Sequence, residues 1–113
     1  MDHLAWSVAE KRIARAVFDR AVDAELADLL AEFQRRVAAL DDPRDMWPLA
    51  DWLDRNQREF DEKYDYRYSR LPYVFARLIR EGRVAETELT GLGDDKLEII
   101  RRAAALDAPL TRA

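Results

Sequence analysis

Residues 8 to 40 contain neither glycine nor proline, and across that window Ile13, Val17, Ala21, Leu26, Leu29, Phe33, Val37 and Leu40 recur every three to five positions. That spacing is one apolar stripe of an amphipathic helix, and the many alanines add favourable propensity. Ser7 and Glu10 form a Ser-x-x-Glu capping box ahead of the run, each side chain satisfying a free backbone N–H of the other residue. A helix over about 8–39 is roughly 48 Å long at 1.5 Å per residue. A compact domain of this size has a radius of gyration of about 13 Å, so the helix overshoots it. Its stripe then faces water unless a second copy covers it, and twofold symmetry is the commonest way to do so. The stripe is not a strict heptad, which favours a bundle-like dimer interface over a long parallel coiled coil. Leu29 and Phe33 on this helix, with Met46, Leu49 and Leu53 further on, are the expected interface residues.

The rest of the chain is also helical in pattern. Asp41-Asp42-Pro43 stops the first helix, and Asp42 caps a second one with Pro43 in its first turn. Pro48 allows the regular helix to begin slightly later, capped by Asp45. Its apolar positions are Met46, Leu49, Trp52, Leu53 and Phe60, and it ends near Tyr64. A third segment is expected from Ser69 as cap, with Pro72 in its first turn, to Gly82. Glu86 to Leu89 reads as a single turn. A last helix starts between Thr90 and Asp94 and carries Leu97, Ile99, Ile100, Ala104 and Leu106; residues 107–113 form a frayed tail. No window alternates as a strand does, so the fold class is all-α and 1–113 is one helical domain.

Charge and residue types narrow the function. Lys and Arg total 19 against 23 Asp and Glu, for a net charge of −4, which argues against a nucleic-acid partner. No apolar run is long enough to cross a membrane, and Met1 to Trp6 lack the pattern of a signal peptide; the expected compartment is the cytoplasm. There is no cysteine, hence no disulfide or thiolate chemistry. His3 is the single histidine and has no metal-ligand spacing around it, while Ser7 and Ser69 lack a histidine base. Asp41, Asp42, Asp45, Asp94 and Asp95 sit at helix starts, where carboxylates cap N–H groups. Asp61, Glu62 and Asp65 flank Lys63 as ordinary ion pairs. Gly91-x-Gly93 lacks the strand and later glycine of a phosphate loop. Arg35-Arg36 and Arg101-Arg102 read as solvated faces. The chain is therefore expected to be no enzyme and to hold no metal or cofactor.

Two aromatic clusters remain. In Trp47-Pro48-Leu49-Ala50-Asp51-Trp52-Leu53 the two indoles are five residues apart and point in different directions. Trp47 and Asp51 are four apart and share a helix face. Trp47 is either a binding hot spot or a packed residue of the dimer interface, and periodicity leaves both open. Tyr64, Tyr66 and Tyr68 alternate as in a short extended link or an unravelled helix end, and packing at a helix junction is favoured over partner binding. Tyr73, on the third segment, is included among the candidate partner-binding residues.

The chain resembles the fluorescence recovery protein family. The resemblance runs through Ala16-x-Phe18-x-Arg20-Ala21, Glu25-Leu26-x-x-Leu29-Leu30-Ala31, Trp47-x-Leu49-x-Asp51-Trp52-Leu53, Asp61-x-Lys63-Tyr64-Asp65, Val74-Phe75-Ala76-x-Leu78-x-x-Glu81-Gly82-x-Val84, Glu88-Leu89-Thr90-x-Leu92 and Asp95-Lys96. Single pieces are weak; their order and near-gapless spacing are specific. Members of that family bind the photoactivated orange carotenoid protein and return it to its resting form, ending photoprotective quenching of the antenna. The resemblance implies a homodimer in which two long helices, about 7–64, form an extended body and about 69–106 form a helical head. It also implies a client patch of Trp, His, Asp and Arg on the second helix. Trp47 and Asp51 match the first and third. The His position is Ala50 and the Arg position is Gln57, with Arg58 one residue later and about 100° round the helix. Two readings follow: a homodimeric regulator of the orange carotenoid protein, or a relative that keeps the dimer scaffold and binds a different protein client as an adaptor.

Overall fold

The capping box forms as the sequence implies. Glu10 N–H donates to Ser7 Oγ at 3.1 Å, and Ser7 N–H donates to Glu10 Oε1 at 2.9 Å. From there helix α1 runs unbroken over Val8–Ala38. In the computed structural model, which describes residues 4–107, three further helices follow: α2 over Met46–Lys63, α3 over Leu71–Arg80 and α4 over Asp94–Asp107. Short 3₁₀ turns at Pro43–Asp45 and Glu86–Leu89 complete the order. Among the described residues there is no strand, only an isolated bridge between Thr90 and Leu92. The all-α class is therefore observed. His3 and the tail beyond Asp107 lie outside the described residues.

Most boundaries fall where the sequence puts them. Asp42 accepts from Arg44 N–H at 2.9 Å and caps the 3₁₀ turn that carries Pro43. Asp45 stands at the N-cap of α2, although its side chain makes no capping bond. At the end of α3, Gly82 adopts φ +76°. Its N–H donates to Ile79 O at 3.0 Å, and Arg83 N–H donates to Leu78 O at 2.8 Å. This Schellman closure needs the left-handed conformation that glycine takes at least cost. One boundary differs. Arg70, not Ser69, is the N-cap of α3, because Arg70 and Leu71 N–H both donate to Arg67 O, at 2.7 and 2.9 Å. That backbone turn leaves Ser69 outside the helix with nothing to cap.

Two compact units are distinguished. One takes in α1 up to Ala21 and the chain from Asp65 through α4. Its core is apolar: Ala14, Val17, Phe18 and Ala21 from α1, Leu71, Val74, Phe75 and Leu78 from α3, Val84, Leu89 and Leu92 from the connection, and Ile100 from α4 are all buried. The link before α3 has no regular secondary structure, and its tyrosines pack. Tyr66 meets Phe18 edge-on at 4.8 Å and Tyr68 lies 5.4 Å from Trp6. Glu10 ties this unit together, since its Oε2 accepts from Gly93 N–H at 2.6 Å and from Lys96 Nζ at 3.1 Å. Lys96 is only 2% exposed. These donors hold Glu10 well below the usual carboxylate range, at about 2; Ser7 N–H acts most strongly, burial opposes, and Gly93 N–H and Lys96 add to it.

The other unit spans Val22–Tyr64 and is built differently. Its one fully buried residue is Lys63. Lys63 donates to Glu25 at 2.7 Å, and Tyr64 O–H donates to the same carboxylate at 2.7 Å. Lys63 thus reaches a carboxylate 38 residues back in the chain, a contact its sequence neighbours do not announce. Arg36 stacks on Trp52, 4.3 Å from the ring centroid, while donating to Glu32 at 2.8 Å. No apolar side chain of this unit is fully buried; Leu26, Leu30, Val37, Met46 and Trp47 are exposed, and Leu29, Phe33, Leu49 and Leu53 are half-buried.

Candidate functional site

Helix geometry sorts the side chains of α2 into stripes. Taking Met46 as origin and about 100° per residue, Leu49, Leu53 and Phe60 lie within roughly 60° of it and form the apolar stripe. Trp47, Asp51, Asp54 and Arg58 follow the spacing i, i+4, i+7, i+11 and form a second stripe, centred roughly 110° round. Ala50 and Gln57, seven residues apart, lie at the boundary between the two. All six residues of the second stripe and its boundary are exposed, and Trp47 leads them at 67%.

The two indoles thus take opposite roles. Trp52 is half-buried under Arg36, and Asn56 Nδ2 donates to its carbonyl at 2.8 Å. Trp47 presents its ring to solvent. Both a binding hot spot and a dimer contact require such a ring, since an indole brings much apolar area at modest entropic cost.

Arg58 donates to Asp54 at 2.8 Å, an i, i+4 pair with the acid on the N-terminal side, the favourable order. The pair lies between Asp51 and the end of the stripe. Arg58 is thus about 100° from Gln57 but on the Trp47–Asp51 side. Asp54 was not singled out from the sequence; its spacing to Arg58 was the available signal. Tyr73, the remaining candidate, is on α3 in the other unit, where it is half-exposed with the Arg70 guanidinium 5.7 Å from its ring. It does not belong to the α2 stripe.

An open groove of about 430 Å³ lies in the same unit as the stripe, lined among others by Leu49, Trp52, Arg36 and Arg55. Among the described residues no cluster of His, Asp and Glu is placed to hold a metal ion, and no helix is long and apolar enough to cross a membrane. The arrangement offers one large ring, two carboxylates and one ion-paired guanidinium on an exposed face, a chemistry of protein contact.

Comparison with known proteins agrees in sequence and in fold. Residues 6–104 match the family described as photoprotection regulator fluorescence recovery protein. The chain is 42% identical over 101 residues to the fluorescence recovery protein of Synechocystis sp. PCC 6803, covering 89% of this chain and 93% of that one. The solved structure of the Synechocystis protein superposes with a TM-score of 0.83 at 40% identity, and that of the Fremyella diplosiphon protein with a TM-score of 0.83 at 36% identity. In both cases 89% of this chain and 99% of the other are covered.

Proposed function

The chain belongs to the photoprotection regulator fluorescence recovery protein family, and on that premise we propose that it is a non-enzymatic, cytoplasmic homodimer that binds photoactivated orange carotenoid protein and speeds its return to the resting state. The observation that carries this reading is Trp47, two-thirds exposed beside Asp51 on an ordered helix. A regulator of this kind needs no cofactor; it needs a surface that binds one state of its client better than another. The dimer reading rests on the unit Val22–Tyr64. A stretch of two helices without one buried apolar side chain gains too little from burial to hold its shape alone, and a second copy would cover Leu29, Phe33, Met46, Leu49 and Leu53. In this reading about 7–64 form the dimer body and about 69–106 the head.

Ala50 and Gln57 temper the client contact. Relative to the family patch they remove an imidazole and a guanidinium, leaving Trp47 and Asp51. A charge-assisted Arg–carboxylate contact at an interface is worth several kcal/mol, and glutamine supplies only a neutral hydrogen bond. The chain should therefore accelerate recovery less than the Synechocystis protein does. The test mixes it with photoactivated orange carotenoid protein and follows the red-to-orange return in the dark. Acceleration above the spontaneous rate supports the proposal. Complete inactivity with retained dimerisation supports the second reading, which Ala50 and Gln57 favour: the same scaffold serving another protein client as an adaptor.

A further inference from the structure

Charge is segregated along this acidic chain. Acidic side chains outnumber basic ones two to one over Val22–Tyr64, whereas basic ones are in the majority in the unit that contains α3 and α4. The excess is visible on the first turns of α1. Val8, Lys11, Arg12 and Arg15 fall within an arc of about 100°, and all four are exposed, Val8 at 70%.

Elsewhere exposed arginines are matched by a carboxylate one helical turn away: Arg36 by Glu32, Arg58 by Asp54, Arg77 by Glu81 and Arg102 by Glu98. Lys11 and Arg12 have no such neighbour at three or four residues' distance and no ion pair among the described residues. Lys11 and Arg15 are four apart, a spacing at which like charges repel. The cations are nevertheless held in place. The Arg15 guanidinium lies 3.7 Å over the Tyr66 ring and the Lys11 ammonium 5.3 Å over Tyr68. The two rings are 5.6 Å apart, and Tyr66 is wedged against Phe18. Stacking on fixed rings restricts side chains that would otherwise lose rotamer freedom on binding. Arg15 also donates to Asp19 at 3.3 Å, whereas Lys11 and Arg12 are left without carboxylates; these two cations beside the stacked guanidinium, set around an exposed valine, complement an acidic surface with an apolar centre.

We propose that this face of α1 docks an acidic segment of a protein client, whose carboxylates meet the unpaired Lys11 and Arg12. The proposal rests on reading the chain as a protein-binding regulator and adds the chemistry of a second contact, separate from the Trp47 stripe. The probe is a peptide of three Glu-Ala-Leu-Glu repeats, with a Lys-for-Glu version as control, titrated into the full chain at low salt and followed by backbone amide NMR. Shifts confined to Val8–Arg15, Tyr66 and Tyr68, absent with the lysine peptide and weakened about tenfold by Lys11→Glu/Arg12→Glu, are expected. The milder Lys11→Gln/Arg12→Gln pair should fall between. No shift, equal shifts on α2, or unchanged binding by the charge-reversed chain overturns the proposal, as does binding of this face to phosphatidylserine vesicles but not to the peptide. A parallel titration with photoactivated orange carotenoid protein separates the two readings. Binding there that ignores the charge reversal sinks the acidic-segment contact alone. Peptide binding without carotenoid-protein binding sinks the client reading alone.

Discussion

Replacing Glu10 with glutamine should destabilise the fold by about 2 kcal/mol at neutral pH, and the deficit should vanish in acid. Glu10 accepts from Ser7 N–H at 2.9 Å, Gly93 N–H at 2.6 Å and Lys96 Nζ at 3.1 Å. These donors lower its pKa from 4.5 to about 2. At 1.36 kcal/mol per pKa unit the shift corresponds to about 3 kcal/mol. The side chain keeps 11% exposure, so solvent screens part of that, and about 2 kcal/mol remains. A glutamine amide would also turn an N–H₂ toward one of these donors and leave Lys96 with only Asp95, at 3.4 Å. Because the folded pKa is depressed, the stabilisation is complete above about pH 5 and is lost as pH falls through the folded value near 2. The assay is thermal unfolding followed by circular dichroism at fixed protein concentration, from pH 7 downward, for both proteins. At roughly 4 °C per kcal/mol for a chain of this size, the glutamine form should melt about 8 °C lower at pH 7, with the gap narrowing below pH 4. Equal melting temperatures at pH 7, or a gap that persists unchanged to pH 2, would refute the argument.

Three further outcomes are expected. Met46→Glu places a charge at a predicted dimer contact that is 48% exposed in one chain; burying it unpaired is costly, so light scattering should find a shift toward monomer, and a compact monomeric wild type would overturn the dimer. Ala50→His with Gln57→Arg should raise the rate of carotenoid-protein recovery, about tenfold for each 1.4 kcal/mol regained, and an unchanged rate would remove the patch argument. Gly91→Ala should cost more stability than Gly82→Ala: φ is +109° at Gly91, well outside the left-handed region that other residues can adopt, but +76° at Gly82, near it; a Cβ on Gly91 also obliges the end of the Ile13 side chain to move, while one on Gly82 meets open space. Gly82→Ala should therefore cost about 1 kcal/mol from conformation alone, and the reverse order in urea melts would contradict this reading of the two turns.

Local chemistry made much of the fold legible in advance. Ser7 with Glu10, Asp42 with Pro43, and Gly82 at the end of α3 each act within a few residues, so their consequences could be written down from spacing. Glu10 also marks where that reasoning stops. Its bonds to Gly93 and Lys96 join positions 83 residues or more apart, and no local pattern announces them. The same holds for Lys63, whose neighbours Asp61, Glu62 and Asp65 suggested short-range pairing while Glu25 lies against it. Ser69 failed as a cap because the backbone turn at Arg67 satisfied the free N–H groups first. For the site, the i, i+4 relation of Trp47 and Asp51 was readable, and so in principle was Asp54 with Arg58. The stacking of Lys11 and Arg15 on Tyr68 and Tyr66 was not, since it needs the irregular link before α3 to bring its rings against α1.

These two kinds of residue allow the scaffold and the proposed client face to change independently. The boundaries of the helices depend on caps, on glycines with positive φ and on the buried set of one unit, where a single replacement costs several kcal/mol by cavity, strain or an unpaired charge. Ala50 and Gln57 are exposed on α2 and belong to none of these classes. Substitutions at such positions typically move stability by less than about 0.5 kcal/mol, yet the same positions, once desolvated against a partner, control contacts worth several times that. Exchanging an imidazole for a methyl group and a guanidinium for an amide therefore leaves the fold almost untouched while altering what the face can grip. That asymmetry allows a TM-score of 0.83 to solved fluorescence recovery proteins to coexist with the proposed change of client surface at Ala50 and Gln57.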